Sequence, residues 1–140
     1  MIALGACNGP EEYDNPYANS TPSSDELTEF AAQITSLVEE LDINGFNNLV
    51  DVNHMIHQGF DDIGFQAAAK ADYYEATKAS WDLGGFVYGA YRAPLQYQLV
   101  TTSAQGNLAT LTFRITDLDI VDYHDLTVGK NQNGELKVLD

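Results

Sequence analysis

Basic residues are scarce in this chain of 140 residues: six Lys and Arg stand against 21 Asp and Glu, a formal net charge of −15. Nucleic-acid binding needs clustered cations that displace the counterions of the phosphates. Lys70, Lys78, Arg92, Arg114, Lys130 and Lys137 are scattered along the chain, so nucleic acid is excluded as a partner. Cysteine is scarcer still, and with Cys7 alone there is no internal disulfide. No apolar run approaches the roughly 20 residues of a helical membrane span. A membrane is therefore expected to be reached only through a lipid anchor. No residue set calls for a cofactor.

Apolar and aromatic residues are plentiful: 44% of the chain is hydrophobic, with eight Tyr and six Phe. That suffices for one packed domain. They are not spread evenly. Asn8 to Ser24 is rich in Asn, Pro, Ser and Glu, a composition that buries too little apolar area to offset its ordering entropy. Residues 1–24 therefore read as a disordered tether ahead of a single domain over 25–140. At the start of the tether, Leu4-Gly5-Ala6-Cys7 resembles the lipobox of bacterial lipoproteins, with Cys7 as the lipid-bearing residue. A signal peptide needs an apolar core of roughly 7–15 residues, whereas only Met1-Ile2-Ala3 precede the motif. Either the reading frame starts upstream, which places the protein at a bacterial cell envelope, or the match is incidental and the protein is cytoplasmic.

Ser23-Ser24-Asp25-Glu26 is a capping-box pattern. Leu27, Phe30, Ala31, Ile34, Leu37, Val38 and Leu41 follow at helical spacing. A turn is expected over Asp42 to Gly45, then a short helix burying Phe46, Leu49 and Val50. A third helical stretch is expected from about residue 61 to 80, broken at Gly84-Gly85. His54 and His57 share a helical face with Asp61 and Asp62 downstream, which is a metal-ligand spacing. Gly59 interrupts the segment and no third His or Cys is near, so no metal is expected there.

After Pro94 the period changes to two. Leu95, Tyr97, Leu99 and Thr101 share one face; Ala109, Leu111, Phe113 and Ile115 share one face of the next strand. Turns at Ala104 to Asn107, at Asp117 to Asp119 and at Asn131 to Gly134 separate four strands. Helices first and strands afterwards make an α+β fold, with N-terminal helices packed on a curved antiparallel four-stranded meander. The short last strand, stopping on Val138-Leu139-Asp140, implies that the natural protein continues through a further C-terminal segment.

Leu111 to Ile115, Val121-Asp122-Tyr123-His124-Asp125-Leu126 and Asn133 to Asp140 resemble bacterial members of the nuclear transport factor 2-like superfamily. The resemblance implies a sheet wrapped around N-terminal helices as a cone. It also implies one of three roles: a non-catalytic ligand- or partner-binding domain, an isomerase or dehydratase with an acid/base pair in the cone, or a subunit that forms homodimers through its sheet. The binding domain is the expected one. For the enzyme, Tyr123 and Asp125 are the candidate pair and His124 a further candidate, although alternation turns Tyr123 and His124 to opposite faces. Arg114 is either a ligand-binding residue or one half of a cross-strand ion pair with Asp125 or Asp140, and the ion pair is expected.

Overall fold

The computed structural model describes residues 14–63 and 95–140. Three helices, α1 (Ser24–Glu39), α2 (Ile43–Asn47) and α3 (Val52–Ile63), precede four strands, β1 (Leu95–Gln105), β2 (Leu108–Asp117), β3 (Ile120–Lys130) and β4 (Leu136–Val138). The strands form one antiparallel sheet in the order β1-β2-β3-β4. The α+β architecture expected from the sequence is the one observed. The helix expected over 61–80 lies mostly outside the described residues, as does Cys7.

α1 begins where its side chains satisfy the first free N–H groups. The Ser23 hydroxyl accepts from the Glu26 N–H at 3.1 Å, and the Ser23 N–H donates to the Glu26 carboxylate at 2.9 Å. Ser23→Ala is expected to lower stability by about 1 kcal/mol, seen as a lower urea midpoint at unchanged slope. The helix ends in a Schellman arrangement: the Asp42 N–H reaches the Leu37 carbonyl at 2.9 Å and the Leu41 N–H reaches Val38 at 3.0 Å. Leu41 itself takes the left-handed conformation, φ 56°, where glycine is usual. The turn thus falls at Glu40 to Asp42. Asp42 caps α2 by accepting the Gly45 N–H at 2.9 Å, so the second helix starts earlier than the sequence pattern suggests.

One face of α1 (Leu27, Phe30, Ala31, Ile34, Val38) packs on the inward face of the sheet, joined by Phe46 and Val50. The sheet contributes Tyr97, Ala109, Leu111, Phe113, Ile115, Leu126, Val128 and Val138. Alternation puts Thr110, Thr112, Arg114 and Thr116 of β2 on the outward face, and Val121, Tyr123, Asp125 and Thr127 of β3 beside them. β1 departs from simple alternation. Leu99 pairs with Phe113 but Thr101 pairs with Thr112, with Val100 bulged between. Thr101 therefore shares the outward face with Thr112, not the inward face with Tyr97 and Leu99 as expected.

The free side of β4 is covered. The Val138 N–H donates to the Leu49 carbonyl at 2.8 Å and the Asp51 N–H to the Val138 carbonyl at 2.9 Å, a parallel bridge between Val50 and Val138. A second departure concerns the tether. Tyr17 is 1% exposed and Pro22 is buried. The ordered body therefore begins before Ser24: a strap of residues 14–22 lies against it. One aromatic ring is enough to dock a segment whose average composition reads as linker.

Candidate functional site

The outward face of the sheet collects most of the residues singled out above. Arg114 is exposed and lies between Gln98 of β1 and Tyr123 of β3. Tyr123 is 58% exposed, Val121 46% and Val100 50%. One pair further along, the Thr112 hydroxyl donates to the Asp125 carboxylate at 2.6 Å.

The expected ion pair is not formed. Asp117 and Ile120 close the β2–β3 hairpin, which sets Arg114 opposite Tyr123 and Thr112 opposite Asp125. Asp125 takes its hydrogen bond from Thr112. Asp140 lies at the other end of β3, its carbonyl accepting from the Thr127 N–H at 2.9 Å. Among the described residues no carboxylate pairs with Arg114; the one salt bridge joins Lys130 and Glu26 at 3.0 Å. The candidate acid/base pair is also displaced. Tyr123 and Asp125 are both on the outward face, so they do not meet inside a cone.

His124 alone of the named residues turns inward. Its ring sits edge-on to Tyr97 at 5.9 Å, and Tyr97 stacks on Phe113 at 4.5 Å. Burial lowers the His124 pKa below its ordinary 6.5, and the carboxylates of Asp122 and Asp125 offset part of that. His54 is buried as well. Burial again lowers its pKa, Asp51 opposes and His57 reinforces the shift. The signs give a pH dependence. Both imidazoles take a proton less readily in the fold than in the unfolded chain. The unfolded chain therefore gains protons first as the pH falls through 6.5, the ordinary value, and stability is lost below it. Urea midpoints are expected to fall between about pH 7 and about pH 5, and to fall less in a His54→Gln/His124→Gln variant. Equal slopes in the two proteins would contradict this.

His54 does not join a metal set; among the described residues no three His, Cys, Asp or Glu come together as ligands. It belongs to a cluster that sequence reasoning missed. The Tyr17 hydroxyl donates to the Asp51 carboxylate at 2.5 Å, and the Tyr17 ring lies edge-on to His54 at 5.0 Å. Asp51 also caps α3, accepting the His54 N–H at 3.0 Å. The available signals were an aromatic after Pro16 in a polar stretch and an Asp ahead of an apolar helical run. A groove of about 280 Å³ also opens between α1 and β4, over Phe30, Leu49 and Leu136, with Glu29 and Glu135 on its walls.

No protein-family model, curated protein or solved structure matches this chain.

Proposed function

We propose that this chain is a non-catalytic binding domain that presents the outward face of its sheet to a partner. The carrying observation is the contrast between the two faces. The inward face is closed by α1 and its own side chains, with Leu111, Phe113, Leu126 and Val128 fully buried. The outward face exposes Tyr123, Val121 and Val100 around an Arg114 that has no carboxylate partner among the described residues. Tyr and Arg beside apolar surface are the residue types that dominate interface energies. The resemblance to the nuclear transport factor 2-like superfamily supports a binding role from the sequence side. The lipobox-like Leu4 to Cys7 supports attachment to a bacterial envelope. Mass spectrometry of Cys7 in the full-length protein, expressed in a bacterium with whatever sequence precedes Met1, tests that attachment; an unmodified thiol in a cytosolic fraction removes it.

A photo-crosslinking residue at position 123 tests the binding face. Expressed in its host, the protein should yield a discrete adduct that disappears with Arg114→Glu. The same residue at exposed Thr28 on α1 should yield none. Equal labelling from both positions would remove the reading. Reciprocity on the same face favours one second reading, a homodimer. Arg114 and Asp125 are both exposed on neighbouring pairs of one hairpin, and a two-fold axis between such groups sets each against the other's counterpart. Sedimentation would show a dimer that Arg114→Asp dissolves and that the added Asp125→Arg restores.

A further inference from the structure

The strap of residues 14–22 is held by groups far from it in sequence, at three points that together read a peptide. The first is the Tyr17 side chain, 1% exposed. Its hydroxyl meets a carboxylate, Asp51, and its ring meets His54. The space for the ring depends on Gly129. A Cβ at that position would lie 3.0 Å from Tyr17 Cδ1 and 2.9 Å from Leu139 Cδ1. The second point is backbone: the Asn107 side-chain amide donates to the Ala18 carbonyl. The third is the Thr21 hydroxyl, which donates to Asn107 Oδ1 at 2.6 Å.

The strap also arrives in a preset shape. The Asn15 side chain accepts the Tyr17 N–H at 2.9 Å, and the Asn15 carbonyl accepts the Ala18 N–H at 3.4 Å. Asn at the first position and Pro at the second is the composition of a tight turn that forms without outside help. A turn built from its own residues presents one aromatic anchor, and a socket built from α3, β3 and the β1–β2 loop receives it. Nothing in that arrangement requires the turn and the socket to be joined through Ser23.

We propose that the Tyr17 socket is a binding site for a peptide turn of the Asn-Pro-Tyr kind, and that the strap is its built-in, exchangeable occupant. Selectivity resides in Asp51. A phenol hydroxyl donates to the carboxylate, whereas a phenylalanine leaves that half-buried acceptor without the bond. The tethered strap competes at high effective concentration, so the site is masked in the intact chain and opens when the strap is displaced. This site is separate from the outward face of the sheet and stands or falls independently of it.

The test adds a free peptide with the sequence of residues 14–22 to the Tyr17→Ala protein. Backbone amide resonances of His54, Gly129 and Asn107 report the socket. Saturable shifts at these positions are expected, together with a peptide bearing Phe for Tyr that binds about tenfold or more weakly. The wild-type protein should show no shifts at the same peptide concentration. Where Tyr17→Ala lowers stability too far for a spectrum, Tyr17→Phe carries the experiment. It keeps the ring, and the tyrosine peptide should displace its strap while the phenylalanine peptide does not. A folded variant whose socket amides do not move overturns the proposal. So does equal affinity for the two peptides, which would reduce the socket to a non-selective apolar contact.

Discussion

Phe113→Ala is expected to lower the free energy of unfolding by about 3–5 kcal/mol, the range for deleting a buried aromatic. Phe113 is fully buried on the inward face and stacks on Tyr97 at 4.5 Å. Its loss removes apolar area and the ring contact, and leaves a void bounded by two other strands. The residues around that void are held by the β1–β2 and β2–β3 ladders, so they relax only in part. Domains of this size are stable by about 5–15 kcal/mol, so one substitution removes a large share. Ile34→Ala, fully buried on the facing side of α1, should cost about 2–5 kcal/mol by the same mechanism. Guanidinium or urea unfolding followed by far-ultraviolet circular dichroism measures both. A loss below about 0.5 kcal/mol in either case would mean that the substituted side chain is exposed.

Asp51→Ala is expected to cost about 2–4 kcal/mol, because one carboxylate holds two separate elements. Oδ1 caps α3 through the His54 N–H, and Oδ2 accepts the Tyr17 hydroxyl. Losing the cap alone is worth about 1 kcal/mol. The rest comes from a phenol hydroxyl left buried without its acceptor. A double-mutant cycle separates the two parts. Tyr17→Phe should destabilise the wild-type protein clearly and the Asp51→Ala protein hardly at all. Additive losses would mean that Tyr17 and Asp51 act independently. Asp51→Asn should fall between, since an amide oxygen still accepts one bond but carries no charge.

The helical start and the inward face of β2 were legible because their signals are local. Ser23 and Glu26 name the first turn of α1, and Leu27, Phe30, Ala31, Ile34 and Val38 are the buried residues of its predicted face. Ala109, Leu111, Phe113 and Ile115 are buried on β2 as alternation requires. What failed depends on pairing between strands. A two-residue loop at Leu118-Asp119 sets Asp117 opposite Ile120, which carries Arg114 to Tyr123 and not to Asp125. Leu118 adopts φ 56° there, a conformation that its side chain does not advertise. The Tyr17 cluster was hidden for another reason. Composition averages over a window, and the strap is docked by one ring and one side-chain amide, that of Asn107. The opposed faces of Tyr123 and His124 were legible, because that inference needs only strand periodicity.

The bulge at Val100 divides β1 into two lengths with different duties. Before it, Tyr97 and Leu99 are fitted to the core; after it, Thr101, Thr102, Ser103 and Ala104 are exposed on both sides. A strand knows its alignment only where one of its faces is buried. The second length of β1 therefore carries no positional information of its own. It copies its alignment from β2, where Ala109 and Leu111 are anchored in the interior, much as a follower keeps step with a leader. Sequence there is free to drift so long as Gly106, at φ 63°, still turns the chain. The inserted residue upstream absorbs the mismatch between a length that is constrained and one that is not.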